Sequence, residues 1–367
     1  MLLTFRVQNF RSVRDIQELT LLATPPDAGL AAPLTHGATV YVSPLAGVFG
    51  ANASGKSTVL RALGTLRALA ASGSDARDAA RRFEPFRLDP AARLLPTRFE
   101  AEFLAGGVRY VWGCAYKQGE VVAEWLHEYG RDRRAVWYER DRAGVRTLPR
   151  VRLEALALAV AADPSTTLLA LGADAGHSFL GPVAAVLAAI TTVRVAPGTR
   201  LVNDLEHLAP RWSDELTLLV SRAGLGIAGV DTAGEAVRLV HDARLGAQAL
   251  GAYGESDGTI AWLDLLAALL PALDRGGLLV VDDLDAILHP SLAAEALRLL
   301  SDPGLNPGRA QLVFAARAVP PTIADSQRWY AVKSDGATRL SREPMDQGLR
   351  PGELAHELWL AKRPPPP

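Results

Sequence analysis

The sequence predicts an α/β fold. A parallel sheet covered on both faces is assembled from both ends of the chain, with an antiparallel β subdomain and a helical insertion between them. Three observations carry this. Tyr41 to Phe49 is largely apolar and runs into a glycine-containing loop; from Ser57 it gives way to helical spacing in Val59, Leu60, Leu63, Leu66 and Leu69. Gly277 to Val281 is a short continuous apolar run, the pattern of a strand buried on both faces. Between them, Arg98 to Glu139 reads as antiparallel strands with turns at Gly106-Gly107 and Gln118-Gly119.

The remaining elements follow in order. Leu3, Phe5 and Val7 alternate with Thr4, Arg6 and Gln8, so the chain opens on a strand, with a second over Ile16 to Leu22. Pro25, Pro26 and Gly29 break the pattern. Ser72 to Pro96 is polar with little apolar periodicity and reads as a connector or mobile loop. Val151 to about Leu225, rich in Ala and Leu, reads as mostly helical. A strand is expected near Val237 to His241, a helix from Thr259 to near Pro271, and a helix over Ser291 to Leu300. Leu312 to Ala315 and Trp329 to Val332 complete the strands. There is no internal repeat, and Arg363 followed by four prolines reads as a disordered end.

Composition narrows the function classes. A chain of 367 residues suffices for one large domain or two medium ones. The formal net charge of -1 argues against coating nucleic acid by charge alone, though it leaves room for a local basic patch. With Cys114 as the only cysteine, a disulfide framework and a cysteine-based zinc site are excluded, which fits a reducing cytoplasmic location. The opening residues read as a strand rather than an export signal. The most apolar stretch, Phe179 to Val193, contains Gly181 and Pro182 and falls short of a bilayer span, so no membrane partner is expected.

Three motifs carry chemistry. Gly50-Ala51-Asn52-Ala53-Ser54-Gly55-Lys56-Ser57-Thr58 fits G-x-x-x-x-G-K-[ST], with a strand before and a helix after. Glycines let the backbone wrap phosphates, and successive amides with the helix N-terminus favour the anion. Lys56 is expected to reach the β- and γ-phosphates of ATP, and the Ser57 hydroxyl to ligate Mg²⁺. Leu278 to Asp283 is an apolar strand ending in two carboxylates. Asp282 is the candidate Mg²⁺ holder, through water, and Asp283 the candidate for activating the attacking water. Third, Glu255-Ser256-Asp257-Gly258-Thr259 opens a helix about two dozen residues earlier. Its Ser256 and Gly258 suit a second phosphate contact at a helix N-terminus; taken alone, the motif is a plain N-cap.

These segments, with Phe5-Arg6-Val7-Gln8-Asn9-Phe10-Arg11-Ser12-Val13 and the run from Asp282 through Leu288-His289-Pro290, resemble the ABC-type ATPases grouped under AAA ATP-binding domains. Those are relatives of the OLD, RloA, RecF and SMC-type heads. The likeness spans Met1 to about Lys333 and is weakest in the helical middle. It implies an ABC-type P-loop ATPase head with ATP and Mg²⁺ as cofactors, forming a homodimer or higher homo-oligomer. Ser256 and Gly258 would then act in trans on nucleotide held by the other subunit. It implies an N-terminal ATPase lobe over 1–145, a helical insertion over 146–228, a C-terminal ATPase lobe over 229–345 and a tail over 346–367. It also implies an anti-phage setting in which a separate effector, such as a TOPRIM-type nuclease, supplies the output; no nuclease is visible in this chain. Two other readings stand: a hydrolysis-deficient nucleotide-binding scaffold for a partner, and a RecF- or SMC-like DNA-repair ATPase. Near-neutral charge and the absence of sustained heptads argue against the last.

The sequence departs from the family pattern at three places. Asp282-Asp283 stands where Asp-Glu is usual, setting the second carboxylate back by about one methylene. Ala315-Ala316-Arg317 stands where Thr-Thr-His is usual, so Arg317 is either a γ-phosphate contact or a solvated surface arginine. No glutamine occurs near Pro85-Phe86-Arg87, where the family's Q-loop is expected. The first two departures predict slow hydrolysis. His289 is expected at the dimer interface, with helix capping as the alternative. Arg131 to Arg134, with Arg140 and Arg142, is either a solvated hairpin face or a nucleic-acid contact.

Overall fold

The computed structural model describes residues 1–23, 29–130, 134–147, 156–157, 159–160, 163–194, 202–231, 237–244, 246–251 and 254–344. The strands are β1 (Leu2–Gln8), β2 (Gln17–Thr20), β3 (Leu30–Pro33), β4 (Thr39–Val42), β5 (Leu45–Phe49), β6 (Thr97–Ala105), β7 (Val108–Lys117), β8 (Glu120–Tyr129) and β9 (Arg134–Asp141). They continue with β10 (Gly144–Thr147), β11 (Ile190–Arg194), β12 (Ile227–Asp231), β13 (Arg238–His241), β14 (Gln248–Gly251), β15 (Leu278–Asp282), β16 (Gln311–Ala316), β17 (Arg328–Ser334) and β18 (Ala337–Ser341). The helices are α1 (Lys56–Ala71), α2 (Gly73–Arg81), α3 (Leu168–Asp174), α4 (Leu180–Ala188), α5 (Val202–Ser221), α6 (Asp257–Arg275) and α7 (Pro290–Ser301).

Two sheets organise the chain. One has seven antiparallel strands in the order β10-β9-β8-β7-β6-β1-β2. The other has six in the order β11-β15-β16-β5-β17-β18, all parallel except the final hairpin of β17 and β18. Every residue of β5, β15 and β16 is buried, which is why these strands read as unbroken apolar runs. Their alternate side chains divide between two cores. Ala46, Val48, Leu278, Val280 and Val313 join α1, α3, α4 and the seven-stranded sheet. Leu45, Phe49, Leu279, Val281, Leu312 and Phe314 join α6 and α7. The six-stranded sheet is thus a middle layer, and its strand ends carry the candidate site. A smaller sheet, β12-β13-β14, lies beside α5, and β3 pairs with β4.

The α/β class with an antiparallel sheet is as the sequence predicts; four local expectations change. Ser72 to Pro96 is not a loop throughout: it contains α2, capped by Ser72, whose hydroxyl accepts from the Asp75 amide at 3.2 Å. The face of α2 that packs is built of Gly73, Ala76, Ala79 and Ala80, residues too small to announce a core-facing stripe. The span 146–228 contributes α3, α4 and α5, but also β11, which pairs in parallel with β15. The helix expected to stop near Pro271 runs on to Arg275, with Ala272 and Leu273 buried, and ends on Gly276 at φ 85°. Arg140 is no candidate for nucleic acid: it is buried and donates to the carbonyls of Thr166, Val160 and Pro164. Pro25, Pro26, residues 131–133 and the tail over 346–367 lie outside the described residues. Among the described residues no helix is long and apolar enough to cross a membrane.

Candidate nucleotide-binding site

The site begins where β5 ends. Gly50 leaves the strand at φ 147° and Gly55 enters α1 at φ 108°, backbone that side chains rarely adopt. A Cβ at Gly55 would collide with the Thr338 hydroxyl, and one at Gly50 with the Ala331 carbonyl. The loop therefore lies directly on β17 and β18. Thr338 Oγ1 donates to the Ser54 carbonyl at 2.9 Å. Ser12, in the turn after β1, bonds Thr58 Oγ1 at 3.0 Å and Thr338 Oγ1 at 2.8 Å. Sequence reasoning missed Ser12 and Thr338 as supports of the loop; neither has a local signal.

Lys56 folds its ammonium back over the loop, donating to the carbonyls of Gly50 at 2.7 Å and Ala51 at 3.0 Å. Burial lowers its pKa, opposed by the charges of Asp283, Asp285 and Asp282; Arg317 adds to the lowering. Ser57 Oγ donates to Asp282 Oδ1 at 3.0 Å, joining the loop to the end of β15 across 225 residues. Burial pushes Asp282 above the usual carboxylate range, and neighbouring Asp283 adds to that. The Ser57 hydroxyl and the charges of Arg194 and Arg61 act against it. Asp283 follows at φ 57°, a costly left-handed position for a residue with a Cβ.

Arg317 is placed by Asp285. The Asp285 carboxylate accepts from the backbone amides of Arg317 at 2.8 Å and Ala318 at 3.1 Å. The Arg317 guanidinium donates to the Asp285 carbonyl at 3.4 Å and stays half exposed. Arg317 is therefore held beside the acidic turn, within electrostatic reach of Lys56. Pro85, Phe86 and Arg87 line a pocket with Arg11, Ser12 and Lys333, whereas the strand beside β15 ends on Arg194, in register with Asp282. Arg194 and Arg61 are the second pair that the sequence reading did not single out.

Ser256 and Gly258 form a separate place. Ser256 caps α6, its hydroxyl accepting from the Thr259 amide at 3.2 Å. Glu255 is bonded by His241 of β13 at 2.7 Å, and a Cβ at Gly258 would lie 3.6 Å from the Ile287 carbonyl. No hydrogen bond among the described residues joins this segment to the phosphate loop. His289 caps α7: its Nδ1 accepts from the Ser291 amide at 3.3 Å.

The donor set fits a phosphate with a divalent cation. Two glycines let the loop lie against β17 and β18, the buried Ser54 hydroxyl has no partner among the described residues, and Asn52 and Ala53 are exposed on the loop. The hydroxyl and carboxylate at 3.0 Å are the hard oxygens that Mg²⁺ takes alongside substrate phosphates. Among the described residues no group of three or more His, Cys, Asp or Glu could hold a metal by itself.

Comparison with known proteins bears on this arrangement. A family model described as "AAA domain, putative AbiEii toxin, Type IV TA system" matches residues 45–167 and 189–315, well over half the chain. The chain belongs to this AAA-domain family. The matched segments carry both the phosphate loop and the carboxylate strand, so this AAA domain is of the P-loop ATPase kind. No curated protein matches. Solved structures similar to this chain include an SMC head domain from Thermotoga maritima, with 14% identity, TM-score 0.45, and coverage of 94% of this chain and 99% of that one. An Smc head domain from Pyrococcus furiosus bound to the C-terminal domain of ScpA has 11% identity, TM-score 0.42 and 99% coverage of each chain. One from Pyrococcus yayanosii has 10% identity, TM-score 0.42 and 99% coverage of each.

Proposed function

We propose that this AAA domain binds ATP with Mg²⁺, pairs with a second copy around the nucleotide, and hydrolyses it slowly as the sensor or regulator of a separate effector. The contact between Ser57 and Asp282 carries the reading, because it sets a hydroxyl and a carboxylate together at the mouth of the phosphate loop. The loop amides and the α1 N-terminus hold the phosphates, and Lys56, now resting on loop carbonyls, exchanges those partners for phosphate oxygens. Ser57 and Asp282 hold the cation, which when bound offsets the charge on the phosphates. Asp283 is the candidate to orient water. Its short side chain, with Arg317 tied to Asp285 in place of a histidine, supports a slow step. Ser256 and Gly258 sit at an α6 terminus with no hydrogen bond to the phosphate loop among the described residues, which supports a role on a partner's nucleotide. The division into lobes over 1–145 and 229–345, with 146–228 inserted between, belongs to the same proposal. So does a defence setting, which the family description's type IV toxin system supports.

Phosphate release measured with ATP and Mg²⁺, beside Lys56→Ala, tests the reading. The expected turnover is below about one per second and lost in the variant. Turnover well above that rate, or equal turnover in both proteins, would overturn it. A second reading, a nucleotide-dependent scaffold with negligible hydrolysis, draws on the same Asp283 and Arg317. Asp283→Asn separates them: the variant stops base-assisted hydrolysis but leaves ATP-dependent assembly unchanged if nucleotide acts only as glue.

A further inference from the structure

Behind the phosphate loop, a cleft of about 520 Å³ runs between α1, α2 and β11 and has Asp282 in its wall. Lys56 and Ser57 do not line it, so it is distinct from the phosphate cradle while sharing Asp282 with it. Two exposed cations stand at this shared end. Arg61 lies one helical turn beyond Ser57 on α1. Arg194 ends β11 in parallel register with Asp282, so the two side chains leave the same face of the sheet. Both charges are felt at Asp282, yet among the described residues neither guanidinium makes an ion pair within 4 Å. Of the other arginines lining the cleft, Arg11 is opposed by Glu84 at 3.6 Å and Arg67 donates to the Ala188 carbonyl at 3.4 Å, while Arg82 lies with Asp75 and Asp78 on the α2 side. The end of the cleft at Asp282 thus has two fork-shaped donors, without ion pairs among the described residues, and a carboxylate acceptor around a space open to solvent; the other carboxylates of the cleft, Asp75, Asp78 and Glu84, belong to α2 and the segment that follows it.

We propose that this end of the cleft binds a phosphate monoanion, with Arg61 and Arg194 donating to its unprotonated oxygens and Asp282 accepting from its hydroxyl. Guanidinium forks match tetrahedral oxyanions, and such charge-assisted bonds are the strong ones. The carboxylate supplies selectivity. Phosphate near neutrality keeps a proton to donate, whereas sulfate has none and would face the carboxylate with nothing between. The position suggests the source. Water attack on ATP yields ADP and one inorganic phosphate, and the cleft adjoins the carboxylate at which that phosphate is formed. This assignment of source rests on the proposed ATPase reading; the binding site does not.

Calorimetry on the full chain with inorganic phosphate, sulfate and ATP separates the possibilities. Phosphate is expected to bind at least about tenfold more tightly than sulfate. Arg61→Gln with Arg194→Gln should weaken phosphate about tenfold or more while ATP affinity changes less than about threefold. Lys56→Ala should lose ATP and keep phosphate. Equal affinity for sulfate, phosphate binding lost with Lys56, or a fall in ATP affinity in the double variant would each overturn the site, as would no phosphate binding to the unmodified protein. If phosphate behaves as expected but ATP fails to bind, the site stands and the ATPase reading falls. Added phosphate should slow ATP turnover in the unmodified protein and not in the double variant if the ligand is the reaction product. Turnover untouched by phosphate would remove the product assignment.

Discussion

Glu124 and Asp282 are both buried carboxylates with arginine nearby, yet they are finished differently. Glu124, on β8, is saturated: it accepts from Tyr138 Oη at 2.7 Å, Trp112 Nε1 at 3.1 Å and the amides of Leu168 and Leu169 at 2.7 and 3.0 Å. The Arg140 guanidinium lies 3.7 Å away. The two amides open α3, so this one carboxylate pins the helix to the antiparallel sheet, with its charge at the favourable helix end. Among the described residues the Asp282 carboxylate has one hydrogen bond, from Ser57, and no ion pair with the two arginines whose charges it feels. A carboxylate fully served by its own chain has nothing left for a ligand; one left partly unserved is held at a cost that a ligand can relieve.

The contrast can be broken at Glu124 first. Glu124→Ala leaves the buried Arg140 charge and the α3 amides without their acceptor, and should cost about 3–5 kcal/mol in urea unfolding. A loss below about 1 kcal/mol would mean that the two carboxylates are not different in kind. Asp282→Asn should behave in the opposite way: stability within about 1 kcal/mol of the unmodified protein, with Mg²⁺-dependent nucleotide binding lost. Its pH dependence sharpens the test. Because burial raises the folded pKa of Asp282 above its ordinary 3.8, the folded state holds the proton more tightly. The unmodified protein should therefore lose stability relative to Asp282→Asn as pH rises through 3.8 to the raised value, and the gap should stay constant above it. A gap that narrows with rising pH would reverse the sign and the argument. The smallest effect belongs to the loop's support. Ser12→Ala removes the bonds to Thr58 and Thr338 and should cost about 1 kcal/mol, seen as a small shift in urea midpoint.

What was legible in the sequence follows from range. The phosphate loop is a nine-residue word, and Lys56 with Ser57 could be read from it without any knowledge of what lay around it. The carboxylate strand was legible because burial on both faces of a parallel sheet leaves an unbroken apolar run before Asp282. Arg194 was not, because its relation to Asp282 is a parallel pairing, which leaves no trace in local spacing. The fold class was readable from period and composition, while β11 was hidden inside an Ala- and Leu-rich stretch. Arg140 misled for a related reason: it sits in an arginine-rich hairpin, and only the carbonyls of a distant turn show that it faces inward.

The bracing of the phosphate loop has a consequence for synthesis. Its floor is Thr338, which is tied to Ser12 at a separation of 326 residues. The loop at 50–58 leaves the ribosome after Ser12, but the residue that both rest upon arrives 280 residues after the loop ends. Contacts of such long range form late in folding. A nascent chain therefore carries a complete nucleotide-binding motif through the synthesis of all the residues between loop and floor without the support that shapes it. The ability to engage nucleotide becomes a late checkpoint, passed only once both sheets are closed.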